Sequence, residues 1–128
     1  MSFFADLKAA LTANAAVSAI VGTRIWNGWD RAHTSPCVIM DLDNEDDQNY
    51  LETGTGEGVI GEITLTCRGD TDAAAYALKE AVRTAMAGYT GAFDLVVDST
   101  TRSLTPKNEG STAHWYDYLL SCTVIRTR

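Results

Sequence analysis

Residues 14–26 read NAAVSAIVGTRIW, and this stretch decides how the chain begins to fold. It completes a broad helical stripe of apolar residues, although the many alanines blur its edges. The stripe consists of Phe4, Leu7, Leu11, Val17, Ile20 and Val21. Gly22 ends it, because a residue without a Cβ adopts the left-handed conformation after a helix at no steric cost. We therefore predict one helix from Phe4 to Ile20, followed by a loop through Trp26 that closes at Pro36.

A second helix is predicted over residues 70–88, DTDAAAYALKEAVRTAMAG. Thr71 or Asp70 can cap its start, and Gly88 can end it. Its apolar face would consist of Ala75, Leu78, Val82, Ala85, Met86 and Tyr89. The charged residues Lys79, Glu80 and Arg83 are expected mainly outside.

Two segments alternate between apolar and polar residues, as strands do. In VIGEITLTC, residues 59–67, the apolar set contains Ile63, Leu65 and Cys67, and the opposite set, which extends to Arg68, is expected to face water. In HWYDYLLSCTVI, residues 114–125, one face carries Leu120, Cys122 and Val124. The other face carries Trp115, Leu119 and Ile125, which we expect to be partly exposed on a single copy.

The order of these elements predicts an α+β fold, with a mostly antiparallel sheet and two α-helices packed on one face. A strand at Pro36, a short strand over residues 92–97 and a hairpin turn near residues 106–110 complete it. At 128 residues the chain has room for one hydrophobic core, so we expect a single domain over residues 1–128.

The composition is that of an ordinary globular protein, with 45% hydrophobic and 21% charged residues. No apolar run approaches the roughly 20 residues of a membrane-spanning helix, and the first residues lack the basic region of a signal peptide. We therefore expect folding in the cytoplasm and no membrane partner. Cys37, Cys67 and Cys122 are odd in number and lie in predicted strands, which predicts buried, reduced thiols.

The negative charge is concentrated in the middle of the chain. No lysine or arginine occurs between Arg31 and Arg68, and the net charge of −7 comes almost wholly from this region. A chain without a basic face is not expected to bind nucleic acid by neutralising phosphates. Residues 43–58 are polar and rich in carboxylates and glycine, so we expect a long, mobile acidic loop that orders in an assembly.

Several short motifs in this chain have simpler explanations than the sites they resemble. Residues 56–61 match the dinucleotide pattern GxGxxG, but a strand follows where that site needs a helix. Asp41, Asp43, Glu45 and Glu52 have calcium-loop spacing, yet Asp46 occupies the position that requires glycine. Loose divalent binding that brings acidic loops together stays open. The tripeptide Arg68-Gly69-Asp70 fits a turn between strand and helix.

No arrangement of residues predicts catalysis. His33 and His114 are the only histidines, and neither has a nucleophile and an orienting partner at useful spacing. We therefore expect no enzyme activity, no catalytic or metal site and no cofactor. Trp26 and Trp29 leave two interpretations: a loop folded over the core, or an aromatic anchor at a subunit contact, where tryptophan is enriched.

The segment NAAVSAIVGTRIW, followed by a proline-led strand, resembles the start of the tail-terminator or tail-completion proteins of long-tailed bacteriophages and related phage-like particles. The order helix, strand, strand, helix, strand continues the resemblance through most of the chain. The long acidic segment after Asp41 departs from that pattern.

The resemblance implies a structural virion protein in the tail or neck, assembled in the host cytoplasm. Several copies, typically a hexamer, would form a ring that caps the tail-tube protein, stops its polymerisation and meets the head-completion or neck proteins. DNA would pass through the ring without specific binding. On this interpretation some carboxylates of the middle segment line the channel or the rim, and exposed tryptophans contact the next subunit. The candidate residues for the channel or rim are Asp43, Glu45, Asp46, Asp47 and Glu52. The candidates for the subunit contact are Trp26, Trp29 and Trp115.

Two other classes stay open. One is a different connector component of the head–tail neck, which would be all-helical or all-β and so fits the predicted elements less well. The other is a small ligand-binding α+β module, which needs a pocket with convergent polar groups.

Overall fold

The computed structural model describes residues 3–30, 32–50, 56–91, 93–108, 110 and 112–127. These residues contain three helices, α1 (Phe3–Ala13), α2 (Ala15–Val21) and α3 (Asp72–Ala87). They also contain five strands: β1 (Ile25–Asn27), β2 (Cys37–Tyr50), β3 (Gly56–Gly69), β4 (Asp94–Pro106) and β5 (His114–Thr127).

The predicted first helix is in fact two helices that meet at 94°. Asn14 separates them: its backbone is extended, and its side-chain oxygen accepts a hydrogen bond from the Val17 amide at 3.1 Å. An asparagine side chain competes with the helical backbone and favours such a cap, and the alanines around it hide the break in the apolar pattern. Gly22 ends α2 with a positive φ of 61°, as predicted.

The strands form one sheet in the order β1-β2-β3-β5-β4. β1 runs parallel to β2, and every other neighbouring pair is antiparallel. The α+β class with a mostly antiparallel sheet is therefore confirmed. The short parallel strand β1 replaces part of the predicted loop, because Ile25 is buried in the core while its backbone pairs with Val38.

All three helices pack on one face of this sheet. The buried side chains of α1 and α2 meet those of α3 over the apolar faces of β2, β3 and β5. The predicted core faces of β3 and β5 are confirmed, since Ile63, Leu65, Leu120 and Val124 are all buried there. No single helix among the described residues is long and apolar enough to cross a bilayer; only the bent pair of α1 and α2 reaches that length.

The ends of α3 are as predicted: the Thr71 hydroxyl accepts from the Ala74 amide at 3.1 Å, and Gly88 follows the last turn. The expectation that Lys79 lies outside is wrong, because only 6% of it is exposed. Its ammonium group lies 3.9 Å from the centroid of the Tyr76 ring and forms an ion pair with Glu80. The aliphatic part of the Lys79 side chain is therefore buried while its positive charge stays paired.

The predicted acidic loop over residues 43–58 is wrong for residues 43–50 and 56–58, and residues 51–55 lie outside the described part of the chain. β2 continues to Tyr50 and pairs with β3 as far as Gly56, after a shift in register between Leu42 and Asn44. Strand pairing overrides the low β-propensity of these residues, because β3 is itself held by β5 as far as Gly58.

Candidate interaction surfaces

The segment between β1 and β2 crosses the sheet face opposite the helices, and we call residues 28–36 the tryptophan loop; residue 31 lies outside the description. Gly28 starts it with a φ of 100°, and its amide donates to the Met40 carbonyl at 2.8 Å. The next amide, that of Trp29, donates to a carboxylate oxygen of Asp41 at 2.9 Å. The loop is thus fastened to β2 at its start.

The Arg68 side chain fixes the middle of the tryptophan loop by hydrogen bonds from the sheet. Its side chain is completely buried at the end of β3, where its Nη1 donates to the carbonyls of Asp30 and His33, both at 2.9 Å. Its Nε and Nη2 donate to the two carboxylate oxygens of Asp117 on β5, at 2.9 and 3.1 Å. This fork-to-fork geometry is the strongest form of ion pair and fixes the guanidinium in one orientation.

The Arg68–Asp117 pair is enclosed by other side chains. The centroids of the Trp29 and Trp115 rings lie 5.7 and 5.6 Å from the guanidinium carbon, and the Thr105 hydroxyl donates to Asp117 at 2.7 Å. Burying a charged pair is stabilising only when its remaining hydrogen-bonding groups are satisfied, and here the loop carbonyls and the threonine serve that purpose. The prediction that this face of β3 is wet is therefore wrong at Arg68, and also at Thr66, which is 1% exposed.

Two tryptophan rings remain open to solvent above this buried layer. The Trp26 ring is 40% exposed and stacks on the His33 imidazole, with centroids 5.3 Å apart and planes 4° from parallel. The Trp29 ring is 46% exposed. The His33 Nε2 lies 3.1 Å from the Gly28 carbonyl, which orients the imidazole under Trp26. Large apolar rings are thus presented on backbone that is already fixed, by strand pairing at Trp26 and by hydrogen bonds in the tryptophan loop at Trp29.

The third predicted tryptophan has a different position. Trp115 is 8% exposed, because the Lys107 ammonium and the Arg68 guanidinium carbon both lie against its ring, 4.3 and 5.6 Å from the centroid. The expectation that Trp115 is partly exposed is wrong, and its role in this structure is to support Arg68. Ile125, on the same face of β5, is 38% exposed, as that prediction requires.

The predicted acidic residues lie at the other end of β2. We call residues 42–50 of β2 the acidic edge; Glu45, Asp46 and Asp47 stand there opposite Gly61, Ile60 and Val59 of β3. Asp43 lies at the register shift, and Glu52 is outside the described residues. The structure therefore separates the acidic candidates from the tryptophans along β2, and Asp41, just before the acidic edge, accepts the hydrogen bond of the Trp29 amide.

The described residues do not assemble a reactive or metal-binding site. Among them no group of three or more histidine, cysteine or acidic side chains is arranged to hold a metal ion. Asp41, Asp43 and Glu45 lie on an extended strand rather than a calcium-binding loop. The three cysteines are free and buried, and burial raises the pKa of Cys37 to about 11 and that of Cys122 to about 12.

A cavity of about 130 Å³ lies between the start of α1 and β2. Its lining is almost wholly apolar and comprises Phe3, Phe4, Asn27, Met40, Leu42 and Ile63. A ligand-binding module needs several convergent polar groups, and this lining does not supply them. The Arg68-Gly69-Asp70 tripeptide is not an adhesion site either, because Arg68 is buried and Asp70 accepts a hydrogen bond from Ser35 at 2.7 Å.

The sequence reasoning missed Arg68 and Asp117, the residues that build this surface. They are 49 positions apart, and each stands on the supposedly polar side of an alternating strand. The available signal was the pattern itself: Arg68 and Asp117 are opposite charges on strands that the fold makes neighbours.

Comparison with known proteins gives two findings. A family model described as tail completion protein gp17 matches residues 5–114. A solved structure entitled "Virion of native gene transfer agent (GTA) particle" contains a chain of the same fold, with a TM-score of 0.68 and 20% sequence identity, over 99% of this chain and 96% of that one. No curated protein sequence matches.

Proposed function

Because the chain belongs to the tail completion protein gp17 family, and so is a structural protein of the virion tail, we propose that it acts as a ring-forming tail terminator. Several copies, six by our expectation, form a ring on the end of the tail tube and stop its polymerisation. The opposite face of that ring joins the tail to the head-completion proteins. The observation on this chain that carries the proposal is the pair of half-exposed tryptophans, Trp26 on β1 and Trp29 on the tryptophan loop that Arg68 fixes.

A preformed aromatic surface suits a contact between subunits. Association costs less when the contacting side chains are already ordered, and tryptophan is over-represented among the residues that dominate binding energy. The Trp29 backbone is held by its hydrogen bond to Asp41, and the Trp26 ring stacks on His33, whose Nε2 lies within hydrogen-bonding distance of the Gly28 carbonyl. A head-to-tail contact of this kind produces a ring when its rotation closes.

The acidic edge has a separate role in this proposal. Its carboxylates, together with Glu52, face the channel or the rim of the ring. A negative channel wall repels the DNA that passes through and keeps it from binding to the wall. The supporting observation is that no lysine or arginine occurs between Arg31 and Arg68, while acidic residues are frequent there.

The experiment that tests the function is a capping assay with the tail-tube protein of the same particle. When purified protein is added to polymerising tail-tube protein, elongation should stop. Negative-stain microscopy should then show tubes that all carry the same structure at one end. Bovine serum albumin, which is also negatively charged, serves as control at the same concentration. Tubes that elongate equally with and without the protein would contradict the terminator role and favour another connector in the neck.

A further inference from the structure

The sheet has two open edges among the described residues. β4 is the last strand on one side, and no described strand pairs with its outer edge. On the other side β1 covers β2 only from Val38 to Met40, so the acidic edge has a free outer side as well. Unpaired strand edges are templates for another strand unless the sequence protects them.

The edge of β4 has little such protection. Residues 98–104 are all exposed, and the segment 99–105 reads STTRSLT, without lysine, proline or acidic residues. Its one charge, Arg102, is paired within the same copy with Asp72. After the register shift between Val97 and Ser99, the strand runs regularly along β5 from Ser99 to Pro106. It therefore offers a straight, nearly neutral edge with several hydroxyl groups.

The acidic edge cannot pair with its own copy in another molecule. Asp43, Glu45, Asp46 and Asp47 would then meet the same four carboxylates, and like charges on facing strands are destabilising. β4 meets no such repulsion, because serine and threonine hydroxyls can donate to carboxylates. Charge thus favours β4 of one copy against β2 of the next.

We propose that β4 of one copy adds to the acidic edge of the next copy, so that the sheet continues from subunit to subunit around the ring; this inference rests on the proposed function. β2 and β5 run in one direction and β3 and β4 in the other. Copies related by rotation about an axis along the strands therefore bring β4 antiparallel to β2, with all helices on one side. The contact uses two different edges, as a closed head-to-tail ring requires.

Apolar side chains set the register of this joint. Leu42 and Leu104 are 50% and 49% exposed, and both belong to the helix side of the sheet, since they pair with Ile63 and Tyr116. Placing Leu104 beside Leu42 covers both and closes the mouth of the apolar cavity. Because Asp43 is the extra residue at the register shift of β2, Asp46 then stands opposite Thr101, and Asp47 opposite Thr100. In this register β4 ends at Pro106 just where β1 begins to occupy the β2 edge.

Disulfide trapping tests this joint directly. The three native cysteines are buried, with raised pKa values, so they leave the background unreactive. The variant that carries Asp46→Cys and Thr101→Cys, assembled on tail-tube protein and mildly oxidised, should give a ladder of covalent multimers. A mixture of the two single variants should stop at dimers. The control pairs Asp46→Cys with Arg83→Cys on the exposed side of α3 and should give no ladder.

The possible outcomes distinguish a failure of the proposed joint from a failure of the proposed function. A second variant, Asp47→Cys with Thr100→Cys, checks the same register on the other face of the sheet. If both pairs fail to cross-link while the protein still caps tubes, the joint is wrong and the function stands. Dimers from Thr101→Cys alone would show β4 paired with β4 and would also overturn the joint. A wild-type protein that does not cap tubes would contradict the proposed function itself.

Discussion

The tryptophan loop and the acidic edge lie at opposite ends of β2, and they are held in opposite ways. The loop has no repeating backbone pairing, and its carbonyls are fixed by the buried Arg68. The acidic edge depends on the backbone ladder with β3, which accepts almost any side chain on its open side. The carbonyls of an irregular segment need donors from outside any ladder, which a buried arginine supplies here, whereas a strand can carry many charges once its partner is in place.

The largest effect should come from removing the charge beneath the loop. Arg68→Met leaves Asp117 buried without its partner, and breaking such a pair costs about 3–5 kcal/mol of unfolding free energy. Urea denaturation measures this loss, and tryptophan emission should shift to longer wavelength as the loop loosens. The matched control is Arg102→Met, which breaks an exposed ion pair and should destabilise far less.

A double variant sharpens that experiment. Replacing both partners, with Arg68→Met and Asp117→Leu, removes the uncompensated charge, so most of the stability should return. The loop carbonyls of Asp30 and His33 still lose their donor, so the emission of Trp29 should stay shifted. Full recovery of both the unfolding free energy and the emission wavelength would show that Arg68 does not order the tryptophan loop.

The next effect is on assembly. Trp29→Ala should weaken ring formation by about 30-fold, the equivalent of about 2 kcal/mol at a hot spot, because its ring is preordered and half-exposed. Sedimentation at several concentrations measures this change. Tyr76→Ala, which removes an equally exposed ring on α3, is the control and should leave ring formation unchanged. Equal losses in the two variants would remove the tryptophan loop from the contact.

A smaller effect follows from the cysteines. Burial raises the pKa of Cys37 from its ordinary value of 9.0 to about 11 and that of Cys122 to about 12. Above pH 9 the unfolded chain therefore releases thiol protons that the native chain keeps, and stability should fall as pH rises from about 9 to 12. Unfolding midpoints at pH 8 and 10.5 measure it. The control is a Cys37→Ala, Cys67→Ala, Cys122→Ala variant, whose midpoint should fall less because burial raises the pKa of Cys67 as well. A wild-type midpoint that does not fall would contradict the prediction.

The smallest effect on folding is expected at the acidic edge. Asp43, Asp46 and Asp47 changed together to asparagine should leave the unfolding free energy nearly unchanged, because the backbone ladder remains. Assembly or DNA delivery should change, most clearly at low salt, where repulsion between charges is least screened. Particles that deliver DNA as efficiently as wild type at every salt concentration would contradict a charged channel or rim.

The parts of the fold that follow from local chemistry were predictable. Gly22, Thr71 and Gly88 mark helix ends because caps act within a few residues, and the alternation from Ile63 to Cys67 gives the core face of β3. The break at Asn14 was hidden by alanines, which fit either side of a helix. The acidic strands and the Arg68–Asp117 pair depend on contacts with distant β-strands, which local patterns do not encode.

The candidate site was predictable only in part, for the same reason. Trp26 and Trp29 were identified by residue type, and they lie together on one surface. Trp115 looked equivalent in the sequence, but Lys107 and Arg68 bury it. What decides exposure here is the packing of β4, β5 and the loop, and no single strand pattern contains that information.

The native mass of the purified protein, measured from low to high micromolar concentration with and without magnesium and again with tail-tube protein, tests the central claim most directly. The account requires one discrete oligomer of ring size, six copies by our expectation, alone or on the tube. A protein that stays monomeric under all these conditions, or that forms a series of open-ended multimers, would contradict a closed ring.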